Sequence, residues 1–376
     1  MLLHHSHADV LILGASTRAA ASSAIRAGLS PARGDYFADI DVGPVERVEL
    51  GDIDGSFLAI ARSRPGVPWF YTGGLENRPE LVEQVSRGRP LWGAPASIIK
   101  RVRDPILVAQ AFERSGLEHP RVSLAASGLP RDGSWLAKPL DSAGGRDVGP
   151  LVDDPPAANR AWYYQERIVG PCFGALFLGF GSRSILVGAC RQWRGIPDLP
   201  YGYRGSLGPI PLSRRLSARL AMIGEVLARE FAIPGWFGVD YILAAGVPWP
   251  IEINPRYTAS IEVHERAMGI SLLPAHRQAC EQGAIPEPGR FPIVGPSLVV
   301  AKRIVYASRT MIAPVIDREE YENSRPETIA DVPAAGTVLE RGDPVMTVLA
   351  SGPTASTCRA RVIELEREWL GQMEPV

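Results

Sequence analysis

The residues best equipped for chemistry lie near position 250. Gly238-Val239-Asp240-Tyr241-Ile242-Leu243 is followed by a turn at Ala244 to Gly246 and then by Ile251-Glu252-Ile253-Asn254-Pro255-Arg256. Glu252 and Asn254 are two apart on an expected strand, so both side chains leave on one face, and a hairpin turning near Gly246 brings Asp240 opposite them. Two carboxylates and a carboxamide are hard oxygen donors of the kind Mg²⁺ prefers, with waters and phosphate oxygens completing its shell. Arg256 then stands where a transferring phosphoryl group or an acyl phosphate could be held. The plain alternative is a polar-faced edge strand, for which Pro248 and Pro250 speak. Such a strand has no need of this set of groups beside an Asn-Pro-Arg exit.

Two further pieces precede it. Ser134-Trp135-Leu136-Ala137-Lys138-Pro139 reads as a strand carrying a lysine, and Leu140-Asp141-Ser142-Ala143-Gly144-Gly145-Arg146 as a flexible loop of small residues. Free amides in such a loop can fold over phosphate oxygens while Lys138 supplies the compensating charge. It is not a Walker A loop, in which the lysine follows the glycines; a plain turn explains the segment equally well. About thirty residues on, Trp162 to Gly170 reads as a strand whose Gln165-Glu166-Arg167-Ile168 end can offer backbone groups and a carboxylate to an adenine edge. Alone, it is an ordinary strand.

The elements that position these groups follow from the pattern. Val10 to Leu13, a turn at Gly14 and an alanine-rich stretch capped by Ser16 or Thr17 read as strand, turn, helix. Only the first glycine of a dinucleotide fingerprint is present, so nicotinamide binding is disfavoured, and Asp35 at a loose ribose-acid spacing is taken as structural. Strands are expected near Asp35 to Asp41, Phe57 to Arg62, Trp69 to Tyr71 and Leu91 to Trp92, then one helix over Lys100 to Gly116. Later strands are expected at Ser134 to Pro139, Tyr163 to Val169, Ala175 to Phe180, Phe237 to Leu243, Ile251 to Asn254 and Val299 to Ala307. Helices are expected at Ser213 to Phe231 and from Thr354 or Ala355 to Leu370. The remainder of the chain opens near Pro292. Arg191 to Arg204, rich in arginine and tyrosine, suits either an anionic acceptor or a solvated connection.

Composition narrows the function classes. With 376 residues, 45% hydrophobic and 22% charged, the chain can build two or three globular domains of about 100 to 200 residues each. Forty basic against forty-one acidic side chains give no global field for nucleic acid or an anionic membrane. The longest uncharged apolar stretch, Ile168 to Ser182, is shorter than the roughly 18 residues a membrane-spanning helix needs. No Lys/Arg-bearing leader precedes Val10 to Leu13, so a cytoplasmic protein is expected. Cys172, Cys190, Cys280 and Cys358 are scattered and read as core thiols, and His119, His264 and His276 as structural; His4, His5 and His7 read as a mobile terminus. Only three of the forty basic residues are lysines, Lys100, Lys138 and Lys302. Mutational bias is one explanation; a need for a compact ammonium at those places is the other.

Taken in order, these pieces resemble the ATP-grasp superfamily of carboxylate ligases, over residues from about 9 to 275, and within it the predicted-carboligase branch. The tail, Ala301 to Ala307 with Ala330-Asp331-Val332-Pro333 and Gly336-Thr337, is similar to the C-terminal segment of biotin-carboxylase-like members. The resemblance implies an α/β (α+β ATP-grasp) fold: a Rossmann-like opening domain (1–100), a small nucleotide-lid subdomain (101–180) and a large subdomain with the biotin-carboxylase-like segment (181–376). It implies that Lys100 and Lys138 contact ATP phosphates, with Ser142, Gly144 and Gly145 in the covering loop. Gln165, Glu166, Arg167 and Ile168 would border the adenine, Asp240, Glu252 and Asn254 would hold Mg²⁺ (or Mn²⁺), and Arg256 would act with Lys138 in catalysis. Pro171 to Ala175 offers no second acid for the ribose.

The expected activity is an ADP-forming ligase that joins a small-molecule carboxylate to an amine through an acyl phosphate, with no nucleic-acid or membrane partner. A homodimer is in keeping with the resemblance. The alternatives are a biotin-carboxylase-like enzyme activating bicarbonate, which would need a partner carrier because no Met-Lys-Met site is present, and a silent ATP-binding regulatory protein.

Overall fold

The computed structural model describes residues 8–153, 160–284, 298–313, 316 and 328–373. His4, His5, His7 and the expected opening of the C-terminal remainder at Pro292 lie outside them. The first sheet is parallel, in the order β3-β2-β1-β4. It is built from β1 (Val10–Gly14), α1 (Arg18–Arg26), β2 (Pro31–Asp35), β3 (Glu46–Arg47), α2 (Ile53–Arg62), β4 (Trp69–Tyr71) and α3 (Pro79–Val85). Strand β1 is buried along its whole length, as an inner parallel strand covered on both faces must be. A Cβ on Gly14 would meet Thr72 Oγ1 at 1.9 Å, so only glycine lets the β1 and β4 exits lie side by side.

Three expectations in this layer change. Phe57 to Arg62 is not a strand but the body of α2: Asp52 caps it by accepting from Gly55 N, and Phe57, Ile60 and Ala61 recur at helical spacing on its buried face. The second strand ends at Asp35 instead of starting there, and Leu91 makes only a single bridge to Trp69. Asp35 accepts from Thr17 N, Thr17 Oγ1 and Ala38 N, which binds the turn before α1 to β2 and gives the acid a structural task.

The single helix expected over 100–116 is two, α4 (Ala96–Val102) and α5 (Pro105–Arg114). Asp104 accepts from Ile106 N and Leu107 N as the cap of α5, and Pro105 takes the first position, where a missing N–H costs nothing. The break leaves Arg103 as the residue that closes α4. A second, antiparallel sheet follows in the order β5-β8-β6-β7, from β5 (Val122–Ser123), β6 (Trp135–Pro139), β7 (Gly149–Pro150) and β8 (Trp162–Glu166).

Among the described residues the third sheet has eight strands in the order β13-β12-β9-β10-β11-β14-β18-β16. Its elements are β9 (Cys172–Phe180), β10 (Arg183–Ile196), β11 (Leu199–Gly208), α6 (Arg214–Phe231), β12 (Gly235–Ala244), β13 (Val247–Asn254), α7 (Ala259–Met268), α8 (Leu273–Gln282) and β14 (Val299–Tyr306). The pair β15 (Met311–Ile312) and β17 (Val338–Leu339) stands apart, while β16 (Ile329–Ala330), β18 (Pro344–Gly352) and α9 (Ala355–Gln372) complete the sheet and its cover. Pro248 and Pro250 are tolerated because β13 is an edge strand. Strand β9, which the boundary at 180 placed with the smaller unit, pairs with β10 and β12 and belongs to the large sheet. Among the described residues no helix is long and apolar enough to cross a membrane.

A buried ionic junction ties the first and third sheets. Arg18 grips both oxygens of Glu262 and donates through Nε to Asp331 Oδ1 at 2.9 Å, and Lys302 Nζ donates to Glu262 Oε2 at 2.6 Å. Burial alone would raise the Glu262 carboxyl, but Arg18, Lys302 and Arg266 hold it well below the usual range. This explains one of the three lysines: a compact ammonium fits beside a guanidinium on one carboxylate. Replacing Glu262 by alanine leaves two buried cations without it, and chemical unfolding is expected to show a loss of about 3–5 kcal/mol.

Candidate functional site

The β12–β13 hairpin sets the site. Its register places Asp240 directly opposite Glu252 and Gly238 opposite Asn254, as the spacing predicted. Gly174 of β9 lies beside Asp240; a Cβ there would come within 2.8 Å of Gln192 Nε2 and 3.3 Å of Asp240 Oδ1, so the glycine makes room for the carboxylate and its amide partner. These side chains face a cavity of about 510 Å³ lined from both the second and the third sheets. Lys138, Ser142, Gly144, Gly145, Gln165, Glu166, Arg167, Ile168, Asp240, Glu252, Asn254 and Arg256 all line it.

Lys100 does not. It projects from α4 on the surface, 53% exposed, and pairs with Glu80 at 2.9 Å. Because the chain breaks between α4 and α5, Arg103 reaches the cavity instead, and its Nη1 donates to Glu252 Oε1 at 3.0 Å. Sequence reasoning missed Arg103 because its direction depends on that break; the Asp104-Pro105 cap signal immediately after it was the available clue. Within the 191–204 segment, for which an anionic acceptor and a solvated connection were both open, it did not single out Gln192, Arg194 and Tyr203. Residues 191–204 are not a solvated connection but the β10–β11 hairpin, and these three side chains line the cavity.

The polar groups hold one another in a definite arrangement. Lys138 Nζ donates to Gln165 Oε1 at 3.2 Å and to Ile251 O at 3.3 Å, joining β6, β8 and β13. Gln192 Nε2 donates to Asp240 Oδ1 at 2.7 Å, with Arg194 4.0 Å from the other oxygen. Arg256 donates through Nη2 to Asn254 Oδ1 at 3.0 Å and through Nε to Glu76 Oε1 at 2.7 Å. The Glu166 carboxylate is engaged by exposed Arg121 at 3.1 Å. The small-residue loop rests on β11: Tyr203 N donates to Gly144 O at 2.9 Å, and a Cβ on Gly145, at φ +77°, would meet Tyr201 O at 2.0 Å.

Charge is unevenly satisfied. Burial, and then the Glu252 charge, push the Asp240 carboxyl up to about 6. Burial would also raise Glu252, but Arg103, Lys138, Arg194 and Arg256 together bring it below its ordinary value. A carboxylate whose ionisation is opposed by burial and by a facing acid is one that a divalent cation would satisfy, so two acids and an amide oxygen fit a hard metal ion. Among the described residues no three His, Cys, Asp or Glu side chains cluster as a separate metal site. Burial lowers His264 to about 4 and His276 to about 3, which keeps both neutral and structural. All four cysteines are free; Cys190 and Cys358 are buried as core thiols should be, whereas Cys280 is half-buried and buried Cys172 borders the cavity, donating to Gln192 Oε1 at 3.2 Å.

Residues 102–260 match the family model described as an ATP-grasp domain. Over 195 residues, half of this chain, the sequence is 28% identical to an uncharacterised protein of Methanocaldococcus jannaschii; the match spans 41% of that relative's length. The fold is similar to a biotin carboxylase complex from Campylobacter jejuni, with 13% identity, TM-score 0.73, and 98% of this chain and 92% of that one covered. It is also similar to an L-amino acid ligase from Bacillus licheniformis, with 14% identity, TM-score 0.68, and 96% and 98% covered.

The strained acid gives a prediction without any ligand. Asp240 titrates higher in the folded chain than in the unfolded one, so its ionisation destabilises the metal-free fold as pH rises from about 4 through about 6, and the cost is fully present at pH 7. Asp240→Asn should therefore raise the melting temperature of the metal-free protein at pH 7 and flatten its dependence on pH between 5 and 7.

Proposed function

With residues 102–260 identified as an ATP-grasp domain, we propose that the protein is an ATP- and Mg²⁺-dependent ligase that activates a small-molecule carboxylate and passes the acyl group to an amine. The observation that carries this reading is the convergence of Asp240, Glu252 and Asn254 with Lys138 and Arg256 on one cavity. In the reaction a carboxylate oxygen bonds to the terminal phosphorus of ATP as the bond to ADP breaks. The amine nitrogen then bonds to the acyl carbon, phosphate leaves, and the nitrogen gives up a proton.

Asp240, Glu252 and Asn254 would hold the metal, which when bound spreads phosphate charge and aligns the tail. Lys138 bridges Gln165 Oε1 and Ile251 O, between the strand that would border the adenine, Gln165 to Ile168, and the strand carrying Glu252, so its ammonium would be available to phosphate oxygens bound there. The amides of the Ser142 to Gly145 loop would cover those phosphates and keep water from the acyl phosphate. Arg256, held by Glu76, Tyr257 O and Asn254, would offer a preoriented guanidinium to charge developing on the transferred group. Arg103, and not surface-exposed Lys100, supplies the cation at the mouth of α5. The division into an opening domain to about residue 100, a small lid unit and a large unit, and a place in the cytoplasm, belong to the same proposal.

The shared fold with a biotin carboxylase keeps bicarbonate as a second acid to test. The decisive assay is ADP release with Mg²⁺ against a panel of amino acids, other carboxylates with amines, and bicarbonate. Turnover is expected with at least one pairing, and Arg256→Ala should lower it about 10² to 10³-fold. Tight nucleotide binding with no ADP from any member would point to the silent regulatory protein instead.

A further inference from the structure

The two arginines that hydrogen-bond to Glu252 and Asn254, Arg103 and Arg256, both lead back to one short turn in the opening domain. Residues Leu75–Asn77 form a 3-10 turn between β4 and α3. Glu76 Oε1 accepts from Arg256 Nε at 2.7 Å, and Arg256 Nη2 donates to Asn254 Oδ1 at 3.0 Å. Its neighbour Asn77 accepts at Oδ1 from Arg103 Nη2 at 2.8 Å, and Arg103 Nη1 donates to Glu252 Oε1 at 3.0 Å. The same Nη2 donates to Ser142 O at 2.7 Å and Leu140 O at 3.2 Å, in the loop above the cavity.

Consecutive residues of one turn thus each hold one arginine, and each arginine holds one of two same-face side chains on β13. A guanidinium is planar with donors in a fixed fork, so pinning one edge fixes where the other edge points. Glu76 is only 2% exposed, and its Oε2 has no hydrogen-bond partner among the described residues. A buried carboxylate with one oxygen unmet is costly for a turn that needs only to change direction, so its contribution is to be sought in what its other oxygen orients.

We propose that Glu76 and Asn77 are positioning residues for the metal seat: through Arg256 and Arg103 they set the directions of Asn254 and Glu252 and the height of the 140–146 loop above them. The opening domain and the nucleotide cavity then respond as one unit. This rests on the reading of Asp240, Glu252 and Asn254 as metal ligands.

The test is a Mn²⁺ titration of the full chain with saturating ADP, followed by electron paramagnetic resonance, together with amide hydrogen exchange of residues 140–146 in the nucleotide-free protein. Asn77→Ala removes the acceptor for Arg103 and should weaken Mn²⁺ binding about tenfold while speeding exchange in the loop. Asn77→Asp and Glu76→Gln keep an acceptor oxygen in place and should stay near wild type; Glu76→Ala should weaken Mn²⁺ binding as Asn77→Ala does. A turn that serves only stability would lower the melting temperature of the alanine variants and leave the Mn²⁺ affinity of folded protein unchanged, which would overturn the proposal, and the Asn77 pair decides alone if Glu76→Ala does not fold. A wild type that binds no Mn²⁺ with ADP sinks the metal reading and this one with it. A wild type that binds, matched by an Asn77→Ala variant that binds equally well, sinks this one alone.

Discussion

Two carboxylates face each other across the β12–β13 hairpin inside a largely buried cavity, and their mutual repulsion is the constraint around which the rest is arranged. Asp240 and Glu252 occupy paired positions in the register, so neither can leave that face of the sheet without a register slip. Four cations, Arg103, Lys138, Arg194 and Arg256, offset part of that charge but leave Asp240 with a raised pKa. A divalent ion carrying phosphates would relieve the repulsion and give the same cations anions to face. Without such an ion the paired acids are held at a stability cost of the kind found where charge is confined in a site.

The fold supplies what that arrangement needs. An edge strand accommodates Pro248 and Pro250 and leaves β13 free to present Glu252 and Asn254 to the cavity. Glycine at 174 and 145 lets a side chain or a loop approach where any Cβ would collide. The Arg18, Glu262, Lys302 and Asp331 junction fixes the first sheet against the third, so the 75–77 turn arrives at Arg256 and Arg103 in register. The three lysines serve three different ends: Lys302 in that junction, Lys138 in the cavity, and Lys100 in a surface pair that asks little of its chemistry.

Much of the site was legible because it rests on local periodicity. The alternation of β13 put Glu252 and Asn254 on one face, and a short turn fixed Asp240 opposite them. Lys138 and its glycine loop, and the strand ending at Gln165 and Glu166, were readable for the same reason. The failures lie where tertiary context decides. Phe57 to Arg62 carries strand-like residues, but the Asp52 cap and a buried helical face made it α2. Lys100 matched a family pattern by type and approximate place, yet the α4–α5 break sent Arg103 inward and left the lysine outside. The arginine- and tyrosine-rich 191–204 segment left an anionic acceptor and a solvated connection equally open, because Gln192, Arg194 and Tyr203 reach the cavity only through long-range pairing with β9 and β14.

The claim on which the account turns is that these oxygens share a metal ion, and anomalous X-ray scattering tests it directly. Crystals grown with Mn²⁺ and a non-hydrolysable ATP analogue should show a Mn²⁺ peak within coordination distance of Asp240, Glu252 and Asn254, with the analogue's phosphates between it and Lys138. Nucleotide density in the cavity with the metal bound elsewhere, or with the two carboxylates still held by Arg103 and Gln192 and no metal between them, would contradict it.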